Sequence, residues 1–208
     1  MNFYPNYQHV FNRGVEKRKV FCDVKDYERF ILGLKEFNNK NSAVELREII
    51  DNPGSRTSGE EDKLVEVVAY CLNPNHYHLL LKEVAENGIA KFIQKLATGY
   101  TNYFNKKYER SGVLFQGKYK RVDIKSNPQL LYLSAYINSN YCIHNIEKFG
   151  KWKYSSLSEY IKNQKRSFCF KADILGQFNG NREDYLKFCK KNCDDIKEKR
   201  KFIKYLLE

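Results

Sequence analysis

A β-hairpin near the middle of the chain constrains the fold more than any other segment. Residues 64–72 (LVEVVAYCL) and residues 76–83 (HYHLLLKE) are two apolar runs of strand length, and only Asn73-Pro74-Asn75 separates them. Two such runs joined by so short a turn predict an antiparallel pair of strands. The rest of the fold must be arranged around this pair.

Helices are predicted on both sides of the hairpin. Asp23 can cap a helix that runs to about residue 39, in which apolar residues recur at three- and four-residue spacing. Residues 88–108 carry a long apolar stripe of the same period. A further helix is predicted over residues 127–145, with Pro128 in its first turn.

The order of elements predicts the fold class. A first strand is expected over residues 7–12, and one or two strands over residues 113–124. The resulting order β-α-β-β-α-β, followed by a helix, is typical of the α+β ferredoxin-like (RRM-like) split βαβ fold. Residues 51–62, rich in Gly, Pro, Ser and Thr, are predicted to form a mobile loop.

A domain boundary is predicted near residue 148. Residues 1–148 would form the ferredoxin-like domain, and residues 149–208 a small, basic, helical C-terminal extension. The extension is predicted to hold short helices at residues 155–161, 172–178, 182–192 and 195–207.

The net charge of +12 is concentrated in two segments. Residues 91–125 and residues 151–208 each carry a surplus of seven positive charges. Aromatic residues interleave with the basic ones in the first segment, which favours contacts to phosphates and stacking on bases. The alternative is a lysine-rich surface that only keeps the protein soluble.

The lack of a recognisable membrane span or secretory signal predicts a cytoplasmic protein. The chain has no apolar run long enough to span a membrane, and its start is too polar for a secretory signal. The six cysteines are therefore expected to be reduced thiols. Cys189 and Cys193 share a helical face, but nothing nearby completes a zinc set, so we expect them in the core.

His76 and His78 point to the same face of their strand, because side chains alternate along a strand. Two imidazoles placed in this way can share one divalent metal ion, although histidines beside a turn are often only solvated. On the helix over residues 127–145, Tyr136 and Asn140 lie one turn apart on one face. If that face meets the histidines, the Asn140 amide oxygen can complete a site for Mg²⁺ or Mn²⁺. Otherwise Tyr136 is an ordinary boundary aromatic.

Four motifs together resemble those of a known family. The sequence is similar to the single-tyrosine HUH transposases of small insertion sequences, and especially to REP-associated tyrosine transposases. The motifs are residues 9–14 (HVFNRG), 69–80 (AYCLNPNHYHLL), 115–119 (FQGKY) and 136–140 (YINSN).

The resemblance implies a role for each matching residue. Tyr136 would be the nucleophile, and His76, His78 and Asn140 would hold Mg²⁺ or Mn²⁺. Attack on DNA would leave a 5′-phosphotyrosine and a free 3′-hydroxyl, and the reverse reaction would join strands. Relatives often have Pro after the last motif, whereas Tyr141 follows here, so His144 is an alternative third ligand.

Neighbouring tyrosines compete with Tyr136 for the role of nucleophile. Tyr132 lies one turn earlier on a similar face, and Tyr141 is rotated away by about 100° from Asn140. We therefore rank Tyr136 first, Tyr132 second and Tyr141 third.

The implied substrate is single-stranded DNA, with hairpin or palindromic ends, bound by a monomer or homodimer. Each candidate DNA contact has an alternative, as a solvated lysine or a packed aromatic. Backbone contacts are predicted for Arg13, Lys91, Lys95, Lys118, Lys120 and Arg121, and base stacking for Phe115 and Tyr119. The basic extension is predicted to clamp a DNA hairpin.

Two other functions compete with DNA strand transfer. Ferredoxin-like sheets with aromatic residues also serve as noncatalytic platforms for RNA. A metal-dependent nuclease, in which water attacks and no covalent intermediate forms, would use the same histidines.

Overall fold

A computed structural model describes residues 7–40, 63–162 and 167–207, with side chains up to residue 201. The loop predicted at residues 51–62 lies outside these ranges. The strands are β1 (Tyr7–Arg13), β2 (Val65–Asn73), β3 (His76–Glu83) and β4 (Lys120–Asp123). The helices are α1 (Val24–Glu36), α2 (Gly88–Lys107), α3 (Asn127–Ile143), α4 (Leu157–Ile161), α5 (Ala172–Leu175) and α6 (Arg182–Leu207).

The four strands form one sheet in the order β2-β3-β1-β4, and every neighbouring pair is antiparallel. With α1 between β1 and β2 and α2 between β3 and β4, the chain order is β-α-β-β-α-β. The predicted ferredoxin-like fold class is therefore confirmed, including the hairpin that turns at Pro74 and Asn75.

Helices α1 and α2 cover one face of the sheet. Asp23 caps α1 in a reciprocal capping box with Asp26, which fixes where the helix begins. The apolar stripe of α2, including Phe92 and Leu96, packs into the same core as Leu79 and the other β3 side chains of that face. This core is apolar because the helices present their hydrophobic stripes to it.

Helix α3 covers the other face and is itself covered by α6. From Ser134 on it is buried nearly all round, including the polar side chains of Ser134, Asn138, Ser139 and Asn140, since its two sides pack against β2 and against α6. Tyr185, Cys189 and Cys193 of α6 are buried in this second core, as predicted for the two cysteines. The prediction of separate helices at 182–192 and 195–207 was wrong: α6 is continuous, because buried residues recur at four-residue spacing along its first half.

The residues after α3 follow the outer edge of β2. The Leu72 N–H donates to the carbonyl of Tyr154 at 2.9 Å, and the Ser156 N–H donates to the carbonyl of Tyr70 at 2.9 Å. These bonds satisfy an edge that would otherwise expose unpaired backbone groups. The boundary near residue 148 stays a prediction. Among the helices of the described ranges, none is both long and apolar enough to cross a bilayer.

Candidate active site

Three of the sequence motifs meet at one end of the sheet. The Gly14 N–H donates to the carbonyl of Asn75 at 2.9 Å, which ties the end of β1 to the hairpin turn. The Gln116 N–H donates to the carbonyl of Arg13 at 2.8 Å, which adds the segment before β4. A Cβ at position 14 would lie 2.4 Å from the carbonyl oxygen of Arg18, so only glycine fits there.

All four histidines of the chain lie in one cluster at this end. His76 and His78 face α3 as strand alternation predicts, with ring centroids 5.1 Å apart. β1 adds His9, whose Nε2 lies 2.8 Å from Nδ1 of His78. The end of α3 adds His144, whose ring centroid lies 5.1 Å from that of His76.

Helix α3 places Tyr136 against this cluster. Its ring centroid lies 5.8 Å from that of His78 and 6.3 Å from that of His9, both edge-on. Tyr132 stacks on Tyr136 at 6.5 Å but is 44% exposed. Tyr141 is fully buried, and its hydroxyl accepts from the N–H of Gly150, away from the histidines. The structure thus brings Tyr136, of the three tyrosines considered, next to the predicted metal ligands.

A chain of side-chain amides connects His76 to Asn140. The Asn75 Oδ1 lies 2.6 Å from Nδ1 of His76, so that ring nitrogen carries the proton and donates it. The lone pair on the other ring nitrogen, Nε2, then faces Nδ2 of Asn73 at 2.8 Å. The same Asn73 nitrogen donates to Oδ1 of Asn140 at 2.6 Å.

Asn140 is fully buried but incompletely bonded. Its Nδ2 has no hydrogen-bond partner within the described ranges. An unpaired buried amide costs about 1–3 kcal/mol, so its retention requires an explanation. The orphan belongs to a residue that Asn73 connects to His76, so it lies at the edge of the histidine cluster.

Burial keeps the histidines neutral. It lowers the pKa of His9 and of His76 to about 4. It also holds the pKa of His78 well below the usual value, and the neighbouring histidines act in the same direction. The pKa of His144 is lowered by burial and then by the charges of Arg200 and Arg13. Neutral imidazoles are the form that binds metal ions.

The donor set fits a divalent cation with open positions. In the described part of the chain, no three His, Cys, Asp or Glu side chains are grouped to hold a metal. The candidate third ligands beside His76 and His78 are the Asn140 amide oxygen, which accepts from Asn73 in this structure, and the ring of His144. Two imidazoles and an amide oxygen leave room for oxygen atoms of a substrate.

The predicted DNA contacts divide between the two sides of the sheet. Arg13 and Lys120 line a cavity beside His76. Lys118 and Arg121, which are close to Lys120 in the sequence, are exposed to solvent. Lys91 and Lys95 lie on α2, across the sheet from the histidines.

The Lys91 and Lys95 ammonium groups donate to backbone carbonyls of Glu86 and Asn39, at 3.2 and 2.7 Å. The long helix therefore does not border the histidine cluster, although Lys91 and Lys95 are predicted DNA contacts, because its apolar stripe packs against the other face of the sheet together with α1.

The two aromatic residues predicted to stack on bases differ in burial. Phe115 is only 6% exposed, and its ring lies edge-on to Tyr77 in the α1/α2 core, 5.5 Å between centroids. Stacking on a base would require this ring to leave the core. Tyr119 packs against the same core but is only partly buried, so its stacking role stays a prediction.

Sequence reasoning missed two residues of the cluster. The sequence patterns place His9 only in a motif, although its alternation with Phe11 puts both on one face of β1. They place Asn73 in the turn, whereas it ends β2 and bonds to His76. The register that pairs Phe11 with His78 brings His9 next to β3, which carries the two predicted histidine ligands. No local sequence pattern predicts that register.

Comparison with solved structures supports the fold. The chain is similar to a REP-associated tyrosine transposase solved bound to a REP hairpin, with TM-score 0.54 and 12% identity, over 84% of this chain and 93% of that one. A candidate transposase from Deinococcus radiodurans R1 aligns with 20% identity over 66% of this chain and 92% of that one. Its TM-score of 0.35 is too low to support an argument. Curated protein sequences give no significant match.

The sheet, the paired histidines and the facing helix tyrosine define a class of DNA-processing proteins. The model of the family described as "Transposase IS200 like" matches residues 34–140, which hold β2, β3, α2 and the predicted tyrosine and metal ligands. The chain belongs to this IS200-like transposase family.

Proposed function

We propose that this transposase cleaves and rejoins single-stranded DNA, with Tyr136 as the nucleophile. The observation that carries the proposal is the contact of the Tyr136 ring with His78 and His9, inside a cluster of neutral imidazoles. The REP hairpin bound by the similar solved structure supports a folded DNA end as substrate. The enzyme would act as a monomer or homodimer in the cytoplasm.

The reaction conserves the number of phosphodiester-type bonds. The Tyr136 hydroxyl oxygen bonds to phosphorus, and the bond between phosphorus and the 3′ oxygen breaks. The 3′ oxygen leaves with the electron pair and gains the proton that the phenol loses, directly or through water. The products are a 5′-phosphotyrosine and a 3′-hydroxyl, and attack by another 3′-hydroxyl reverses the step without ATP.

His76, His78 and Asn140 would hold Mg²⁺ or Mn²⁺, with His144 beside His76 as the alternative to Asn140. A bound divalent cation would polarise the scissile phosphate and stabilise charge on its nonbridging oxygens. Neighbouring side chains orient the His76 and Tyr136 rings. Asn75 fixes the proton of His76 on Nδ1, and Tyr132 stacks on the ring of Tyr136.

A covalent-adduct assay tests the proposal. The probe is a set of labelled single strands from the DNA flanking the gene that can fold into hairpins, incubated with the full chain and Mn²⁺ or Mg²⁺. We expect a protein–DNA adduct on denaturing gels, lost in Tyr136→Phe. Tyr132→Phe is the matched control, because it removes a hydroxyl one turn away and should still form the adduct.

The other outcomes identify other functions. A nicked product without an adduct would indicate attack by water, and binding without cleavage would indicate a noncatalytic nucleic-acid-binding protein. Adduct formation that is undiminished in the double variant His76→Ala/His78→Ala would contradict the metal assignment.

A further inference from the structure

A cavity of about 280 Å³ opens beside the histidine cluster. Its wall is formed by the end of β1, by Gln116 and Lys120 near β4, and by His76 and His144. The three β1 residues are Phe11, Asn12 and Arg13. The cavity therefore borders His76, a predicted metal ligand.

The lining is suited to one nucleotide. It contains no acidic side chain, and neither Arg13 nor Lys120 has a salt-bridge partner among the residues of known placement. Phe11 packs on the rings of His78 and His9, at 5.6 and 4.9 Å between centroids, and the partly exposed remainder of its ring is open to a ligand. The side-chain amide of Gln116 is exposed and makes no hydrogen bond within the described ranges. Unpaired cations bind phosphate, aromatic rings stack on bases, and amides read base edges.

The cavity and Tyr136 meet the predicted metal ligands at different positions along α3. Tyr136, Asn140 and His144 follow one another at four-residue spacing, so the first and last are about 12 Å apart. Tyr136 contacts His78 and His9, whereas the cavity is lined by His76 and His144. Phe11, also in the cavity wall, stacks on His78 at 5.6 Å between ring centroids and so connects the two positions. Along the helix, Asn140 therefore lies between the nucleophile and the His144 end of the cavity.

Phosphoryl transfer requires the entering and leaving oxygens to lie roughly in line, on opposite sides of phosphorus. If Tyr136 enters from the His78 side, the 3′ oxygen leaves toward the His76 side. The nucleotide that carries this oxygen is the one immediately 5′ of the cleaved phosphate.

We infer that this cavity binds the nucleotide immediately 5′ of the scissile phosphate and retains its 3′-hydroxyl after cleavage. This inference rests on the proposed function, because it takes Tyr136 as the entering group. Phe11 stacks on the base, Gln116 contacts the base edge, and Arg13 and Lys120 neutralise the adjoining phosphate. The cavity thereby selects a base at this position and holds the hydroxyl that rejoins the strand.

Binding can be tested without cleavage. The probes are the dinucleotides dTpdA, dTpdC, dTpdG and dTpdT, each with a free 3′-hydroxyl, titrated into the full ¹⁵N-labelled chain carrying Tyr136→Phe. We expect NMR shifts at the Gln116 side chain and at His144, and one dinucleotide preferred at least threefold. Gln116→Ala should remove that preference. Gln94→Ala should retain it, because Gln94 is an exposed glutamine on α2, across the sheet.

Cleavage tests the same assignment. In the hairpin strand that forms the adduct, the nucleotides flanking the cleaved bond are randomised and the products sequenced. We expect base selection at the 5′ nucleotide that Gln116→Ala relaxes, with selection on the 3′ side unchanged. An abasic 5′ nucleotide should lower the cleavage rate about tenfold, the expected loss for one stacked base.

The two proposals fail in different ways. An adduct that persists in Tyr136→Phe contradicts the proposed nucleophile, and shifts at Gln116 and His144 would still locate a nucleotide site. Shifts confined to residues outside the cavity, or base selection that Gln116→Ala leaves unaltered, would overturn the cavity assignment even with Tyr136 as nucleophile.

Discussion

Asn138 and Asn140 are two fully buried amides on the same helix, and their surroundings differ. Asn138 uses its whole side chain: its Nδ2 donates to the Tyr185 hydroxyl at 2.8 Å, and its Oδ1 accepts from Ser156 at 2.6 Å. Asn140 bonds only through its oxygen, to Asn73, and its nitrogen has no partner in the described part of the chain.

Under the proposed function, the difference separates a structural amide from a functional one. Asn138 attaches α6 and the segment after α3 to the sheet domain, and its satisfied bonds account for its burial. Asn140 faces the histidine cluster, where its incomplete bonding has no structural benefit. A fully bonded buried network stabilises the fold, whereas an unsatisfied buried group requires an explanation, and the proposed metal site supplies one for Asn140.

The largest effect is expected from Asn140→Ala. Cleavage should fall by about 100-fold or more, because a proposed ligand of the metal is lost, whereas the free energy of unfolding should fall by only about 1 kcal/mol, because Asn73 alone loses a bond. Initial rates of adduct formation and urea denaturation of the metal-free protein measure the two quantities. A stability loss as large as that of Asn138→Ala would remove the distinction between the two amides.

Asn138→Ala should give the opposite pattern. We expect the free energy of unfolding to fall by about 2–3 kcal/mol, because Tyr185 and Ser156 lose a buried partner. Adduct formation per folded molecule, measured well below the melting temperature, should remain near that of the parent protein. A specific loss of cleavage in fully folded Asn138→Ala would show that the network also serves the site.

The histidine cluster should make the metal-free protein sensitive to acid. His9 and His76 stay neutral in the folded state down to a pKa of about 4, whereas in the unfolded chain they protonate near pH 6.5. The unfolded state thus gains protons first as the pH falls, so stability is lost between pH 6.5 and 4. At pH 5 the loss is about 2 kcal/mol per histidine.

Urea denaturation in EDTA at pH 7 and pH 5 measures this loss. His9→Phe keeps a ring at the position and should reduce the difference between the two pH values. An unchanged difference would mean that His9 is not a buried neutral group.

The smallest effect is expected for the contact between His9 and His78. If Nε2 of His78 binds a metal, its Nδ1–H must donate to Nε2 of His9, at the observed 2.8 Å. His9→Phe should therefore weaken Mn²⁺ binding about tenfold, as measured by electron paramagnetic resonance of free Mn²⁺. His9→Gln restores an acceptor and should recover part of the affinity; equal losses in both variants would exclude a role for the acceptor.

The sequence by itself determined the local elements and the family. Apolar periodicity gave the helices and hairpin, strand alternation placed His76 and His78 on one face, and the helical repeat aligned Tyr136 with Asn140. These features depend on neighbours in sequence.

Only the tertiary structure decided which elements surround the site. Strand register places His9 beside His78, and the end of α3 places His144 beside His76. The packing of α2 with α1 places Lys95 on the side of the sheet opposite the histidines. Such contacts join residues far apart in the chain, and their geometry follows from how the two cores pack rather than from any local pattern.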